Sequence, residues 1–252
     1  MPDALHIALL TAAGLVAGSV NAVAGGGTFF TLPAMLAAGL PPTIAVPSNL
    51  VAVWPGNPMA AFACRREIWA HRHDLALRSV IALAGGSIGA ILLLRTEEVV
   101  LTQLVPFLLI AATGLYALGG WLVRFLPRTD GPPRAMPLVE SIAAVYGGYF
   151  GSGLGVMLLA LLRLQGIEND HEANGLKNFL SALNGTTSAA IFIASGLVSW
   201  PETLAVFTGA LLGGFGLGSM VRHVPRTFLR ALVIASGLTL SVVYFWRVYG
   251  PA

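Results

Sequence analysis

The chain has 252 residues, of which 56% are hydrophobic and only 10% charged, against about 25% charged in an ordinary soluble domain. Water is thereby excluded as its main solvent, and a single cysteine, Cys64, excludes an internal disulfide framework or a cysteine-based metal cluster. The net charge of +3 sits in short loops between apolar runs rather than on one soluble face, which speaks for membrane topology and against a nucleic-acid partner.

Apolar runs approach the roughly 20 residues that span a hydrocarbon core, and they recur from Ala4 to Tyr249. The leader Met-Pro-Asp-Ala-Leu-His has no basic n-region, and its apolar run leads into glycines rather than a cleavage site, so the first segment is expected to be retained. A long segment around 4–23 is followed by Gly25-Gly26-Gly27 and a short segment 28–38, closed by Gly39-Leu40-Pro41-Pro42. Segments near 43–63, 75–94 and 99–123 come next. The polar stretch Arg124 to Pro137, with Pro127, Pro132, Pro133, Arg128, Asp130 and Arg134, reads as a boundary.

Beyond it lie a segment near 138–150, a second glycine cluster Gly151-Ser152-Gly153-Leu154-Gly155, and a short segment 156–164. After a polar stretch come segments near 174–195, 200–220 and 227–248. One shift of 129 carries Asn49 onto Asn178, Gly56 onto Gly185, Gly85 onto Gly214 and Gly89 onto Gly218. An internal duplication is therefore expected.

Loop charge orients the halves. The loop holding Arg65, Arg66, His71, Arg72 and Arg78 is expected inside, and its counterpart Ser195 to Pro201 has no basic residue. The following loops reverse the bias: Arg222, His223, Arg226 and Arg230 against the net acidic Arg95-Thr96-Glu97-Glu98. The expected fold is an all-α polytopic membrane protein of two inverted-topology repeats, each a broken-helix hairpin plus three transmembrane helices. Residues 1–123 form the first repeat, 124–137 a cytoplasmic linker and 138–252 the second.

Non-helical backbone at membrane depth is tolerated only where protein buries it or where it lines a wet cavity. Paired glycine breaks in two halves thus point to a midplane site, with half-helices starting at Thr28 and Val156 aiming amide N–H groups at an anion. The alternative is close helix packing, the favoured reading for Gly85-x3-Gly89 and Gly214-x3-Gly218. Asn49 and Asn178 either bind solute or tie helices to the breaks. Lys177 is either a counter-ion for an anionic solute or a snorkelling interface lysine. Asn21, Thr28, Ser48, Ser152 and Asn184 are further polar candidates. Arg163, Glu168, Asp170, His171 and Glu172 read as a solvated loop, with a gate as the alternative. His71-Arg72-His73-Asp74 has metal-ligand types without a second cluster, so no metal is expected; nor is any cofactor. No Walker loop, serine-nucleophile motif or cysteine pair supports ATP hydrolysis or hydrolytic catalysis.

These residues resemble a known family. Ala17-Gly18, Ala24-Gly25-Gly26-Gly27-Thr28, Leu32-Pro33-Ala34, Pro47-Ser48-Asn49-Leu50 and Trp54-Pro55-Gly56 look like the first repeat of the sulfite exporter TauE/SafE permeases. Lys177-Asn178-Phe179-Leu180-Ser181, Asn184-Gly185, Ser195-Gly196 and Trp200-Pro201 resemble the second. The resemblance implies secondary transport of sulfite, sulfonates or other small organic anions, often outward across the inner membrane. It carries over as site candidates Gly25, Gly26, Gly27, Thr28, Asn49, Gly151, Ser152, Gly153, Lys177 and Asn178. The second cluster is less purely glycine, so the two hairpins need not contribute equally. Protons or no ion at all are the coupling options, and the oligomeric state stays open, a homodimer included. The rivals are an anion channel and a membrane-embedded enzyme using 163–177 with His171 and Glu172.

Overall fold

The computed structural model describes residues 4–23, 26–125, 136–217 and 226–250, and their regular structure is entirely helical. The first half contributes α1 (Ala4–Val23), α2 (Thr28–Ala37), α3 (Pro42–Val53), α4 (Gly56–Ala63), α5 (Arg65–Ala70), α6 (Arg72–Arg95) and α7 (Glu98–Phe125). The second contributes α8 (Met136–Tyr149), α9 (Leu154–Leu164), α10 (Asp170–Ala194), α11 (Trp200–Leu212) with a π-turn at Gly213–Leu217, and α12 (Arg226–Tyr249).

Local chemistry sets these limits. Gly39, at φ +89, reverses the chain after α2, its N–H reaching Leu36 O while that of Leu40 reaches Met35 O. Pro42 then opens α3 at a position where its missing N–H costs nothing. Asn169 caps α10 by accepting from His171 N, and Asp170 and Glu172 stand in the first turn, where the helix dipole favours negative charge.

The expected single segment 43–63 is broken at Trp54-Pro55 into α3 and α4. Pro55 and Pro58 each lack an N–H, so the helical ladder fails there and Asn57 N bonds Trp54 O in a tighter turn. The expected segment 200–220 likewise gives way after Leu212 to the π-turn, which holds Gly213, Gly214 and Gly216.

Four stretches among the described residues are long and apolar enough to cross a bilayer: Ala4–Asn21, Leu75–Arg95, Glu98–Leu118 and Arg230–Tyr249. Their outer faces carry exposed Leu5, Val80, Phe107, Val242 and Trp246, a surface suited to lipid. This is a multi-pass membrane protein. By contrast α2 and α9 rise only about 15 and 16 Å, half a hydrocarbon core.

Packing between the halves is reciprocal. α1 lies along α11 while α8 lies along α6, and α2 touches α12 while α9 touches α7. The long seams rest on glycine. A Cβ on Gly14 or Gly18 would stand 2.3 Å from Val206 O or 2.1 Å from Ala210 O, and one on Gly209 or Gly213 only 2.0 Å from the carbonyls of Thr11 and Leu15. Gly85 and Gly89 meet α8 in the same way, at Ala144 Cβ (2.3 Å) and Val145 O (2.2 Å). On α11 the described seam glycines are Gly209 and Gly213 rather than the expected Gly214. Gly214, one residue past Gly213 and so over a quarter turn round the helix, leaves Gly18 O 3.8 Å off, and Gly218 lies outside the described residues.

Candidate functional site

Both chain breaks arrive at one cavity of about 420 Å³. Gly26, Gly27 and Thr28 wall it from the first half, Gly151 and Gly153 from the second. Positive φ at Gly26 (+86), Gly151 (+76) and Gly153 (+90) makes these turns, a region of backbone space that side chains disfavour. Helix α9 starts two residues earlier than expected because Gly153 already begins its first turn, with Val156 N donating to Gly153 O. Neither α2 nor α9 has a side-chain cap at its start; amides of Phe29, Phe30, Leu154 and Val156 bond the break carbonyls of Gly26, Gly27, Gly151 and Gly153 instead, so the positive end of each helix dipole faces the breaks.

Three buried polar side chains converge from α3 and α10. Asn49, 1% exposed, lines the cavity, and its Oδ1 has no hydrogen-bond partner among the described residues. Asn178 and Lys177 enter from α10, buried and cavity-lining. Lys177 does not snorkel to a surface. It is 8% exposed and its stem lies against Gly155, where a Cβ would be 3.5 Å from Lys177 Cδ. Among the described residues no carboxylate lies within ion-pair reach of its ammonium. A buried cation is costly unless it meets an opposite charge, so the cavity suits an anion.

Of the remaining candidates, Gly25 lies outside the described residues. Ser152 is buried beside the cavity rather than in its wall, its carbonyl accepting from the Tyr146 hydroxyl at 2.8 Å. Ser48 is a tie, its Oγ accepting from Ser199 N at 2.9 Å. Asn184 lines the cavity but spends its amide on carbonyls of two other helices, Ala82 O (3.1 Å) and Ala144 O (2.8 Å). Asn21 reaches the wall from α1.

The charged stretch before and at the start of α10 folds on itself and onto the first half. Arg163 bonds Asp170 and the carbonyl of Glu168, and His71 Nε2 meets Glu172 Oε2 at 3.1 Å. Sequence reasoning passed over the apolar wall of Trp54, Met59, Leu159, Phe207 and Phe215, since such residues carry no signal in a chain that is apolar nearly throughout.

A family model described as Sulfite exporter TauE/SafE matches residues 10–244. A "Probable membrane transporter protein" of Haemophilus influenzae is 29% identical, covering 94% of each chain. The Escherichia coli (strain K12) "Probable membrane transporter protein YfcA" is 27% identical over 99% of this chain and 93% of its own. In Sinorhizobium sp, "Probable membrane transporter protein ORF9" is 30% identical over 83% of this chain and 81% of its own. No solved structure matches at a significant level.

Proposed function

The chain belongs to the sulfite exporter TauE/SafE family, and from that premise we propose that it is a secondary carrier of the inner membrane that exports small organic or sulfur-containing anions such as sulfite or sulfonates. The observation that carries this reading is Lys177: a buried ammonium without a carboxylate partner among the described residues, in the cavity where both breaks end. Asn49 and Asn178 would orient the anion, and the first-turn amides of α2 and α9 would add positive potential without a second full charge.

In this reading the two halves are inverted repeats, with 124–137 as their cytoplasmic link, and rock about the cavity in alternating access. The reciprocal packing of α1 on α11 and α8 on α6 supports it, since a duplicated unit with a two-fold relation produces such an exchange. The anion shifts the conformational equilibrium only through its different affinity for the two states.

Reconstituted vesicles test the proposal. Uptake of radiolabelled sulfoacetate that saturates, is accelerated by unlabelled sulfoacetate on the far side, and disappears in Asn49→Ala and Asn178→Ala supports a carrier. Uptake linear in concentration identifies a channel instead, and product formation without net transfer an enzyme.

A further inference from the structure

Among the described residues one acidic side chain and one basic side chain are fully buried, Glu140 and Lys177. Lys177 belongs to the solute cavity. Glu140 does not: it stands on the second turn of α8, 6% exposed, outside the cavity wall. A carboxylate at such a place in a membrane bundle is expensive unless a specific partner or task holds it there.

Its surroundings are few and well defined. Gln165, at the end of α9, donates from Nε2 to Glu140 Oε1 at 2.7 Å, and Arg78 Nη2 of α6 lies 3.8 Å from the same oxygen. From α10 the facing residues are Leu180 and Asn184, neither titratable. Arg163, on α9, is committed to Asp170 and to the carbonyls of Ile167 and Glu168. Two acceptors near this carboxylate have no hydrogen-bond partner among the described residues: Gln165 Oε1 and Asn184 Oδ1, both buried.

We propose that Glu140 is the group through which solute movement is coupled to a proton, with Gln165 as its partner in both protonation states. Ionised, the carboxylate accepts from the Gln165 amide and faces the Arg78 guanidinium. Protonation turns one carboxyl oxygen into a donor, and a half-turn of the Gln165 amide presents Oε1 to accept from it. No bond to the solute is made or broken. No proton travels with the solute: one proton is taken up as the solute is released outside and given up inside as the next solute is loaded, so that inward proton flow drives export.

A small cavity of about 10 Å³ is lined by Arg78, Glu140 and Asn184, at the lower limit of the roughly 10–15 Å³ that one water needs. Asn184 and Leu154 stand between this carboxylate and the solute cavity, since both line the two spaces. The free Oδ1 of Asn184 points to Gly147, where a Cβ would be 2.9 Å away, and Gly147 itself lines the solute cavity. Gln165 adds a mechanical link, because it caps the helix whose first turn, at Gly153 and Gly155, walls the solute cavity.

The inference rests on the carrier reading, and the experiment separates the two. Vesicles holding the wild-type protein or Glu140→Gln are given radiolabelled sulfoacetate under a pH gradient of either sign, then assayed for exchange without a gradient. The expected result is gradient-driven accumulation in the wild type, its loss in Glu140→Gln, and exchange retained in both. Accumulation surviving in Glu140→Gln overturns the coupling role, as does wild-type accumulation indifferent to pH gradients. Absence of wild-type exchange removes the carrier reading and this proposal with it. Should Glu140→Gln fail to fold, Gln165→Leu keeps the carboxylate and removes its partner. The pH of half-maximal accumulation must then move, and an unchanged pH profile overturns the proposal.

Discussion

Trp54 sets one edge of its indole against Gly185: its Cδ1 is 2.6 Å from where a Cβ on that glycine would stand. The indole Nε1 meanwhile donates to Ala182 O at 3.2 Å and Thr186 Oγ1 at 3.1 Å, on either side of the same glycine. The α3–α4 break is thus pinned to α10 by one side chain and the absence of another. Gly185→Ala is expected to displace the indole and destabilise the protein by about 1–3 kcal/mol, lowering the thermal midpoint. Trp54→Phe, which loses both N–H bonds and part of the ring, should cost about 1–3 kcal/mol.

Seam glycines should tolerate substitution far less than open ones. Gly209→Ala places a Cβ 2.0 Å from Thr11 O, whereas a Cβ on Gly56 meets nothing within 4 Å. Thermal unfolding in detergent should therefore show Gly209→Ala destabilised by about 1–3 kcal/mol and Gly56→Ala unchanged or slightly stabilised, since alanine is the better helix former. Equal midpoints for the two would contradict the close approach of α1 to α11.

Lys177→Met keeps the length of the stem and removes the charge. Binding of sulfoacetate should weaken by about 1.5–3 kcal/mol, roughly ten- to a hundredfold in Kd, with no loss of thermal stability in the absence of anion. Isothermal titration and a thermal-shift series with added anion read the two quantities separately. Unchanged affinity would remove the counter-ion role.

Cys64, in the loop between α4 and α5, reports on the loop end of the cavity. Burial first and the Glu67 carboxylate second hold its thiol above the ordinary range, with Lys177 opposing them. The thiolate is the reactive form, so maleimide labelling near neutrality should be slower than for a free cysteine and should climb to a higher pH before levelling. Glu67→Gln should move that climb to lower pH, and Lys177→Met to higher pH.

Much of this architecture is legible in the residues alone. Apolar run lengths and Gly or Pro punctuation set most helices to within a few residues, as at α1, α7 and α12. The breaks at Gly26-Gly27 and Gly151–Gly153 stand out because glycine in such runs otherwise weakens a helix. The division at Trp54-Pro55 is harder to read, because Pro47 sits inside α3 without ending it while Pro55 and Pro58 together do. Which glycines form the α11 seam is hard to read because Gly209, Gly213, Gly214 and Gly216 offer several small-residue spacings, and only the packing of α1 picks out Gly209 and Gly213. Glu140 and Gln165 are 25 positions apart, and only the fold of α8 back on α9 makes them one unit.

The exchange of helices between the halves has a consequence for how the protein assembles. The first half leaves the glycine face of α1 uncovered until α11 arrives, and that of α6 until α8 does. Synthesis from the N-terminus would therefore hold α1 in the bilayer with that groove open for almost the whole length of translation, closing it only near the end. The two halves are interlocked like clasped hands, and a truncated chain would carry an open, adhesive groove rather than a smaller working transporter.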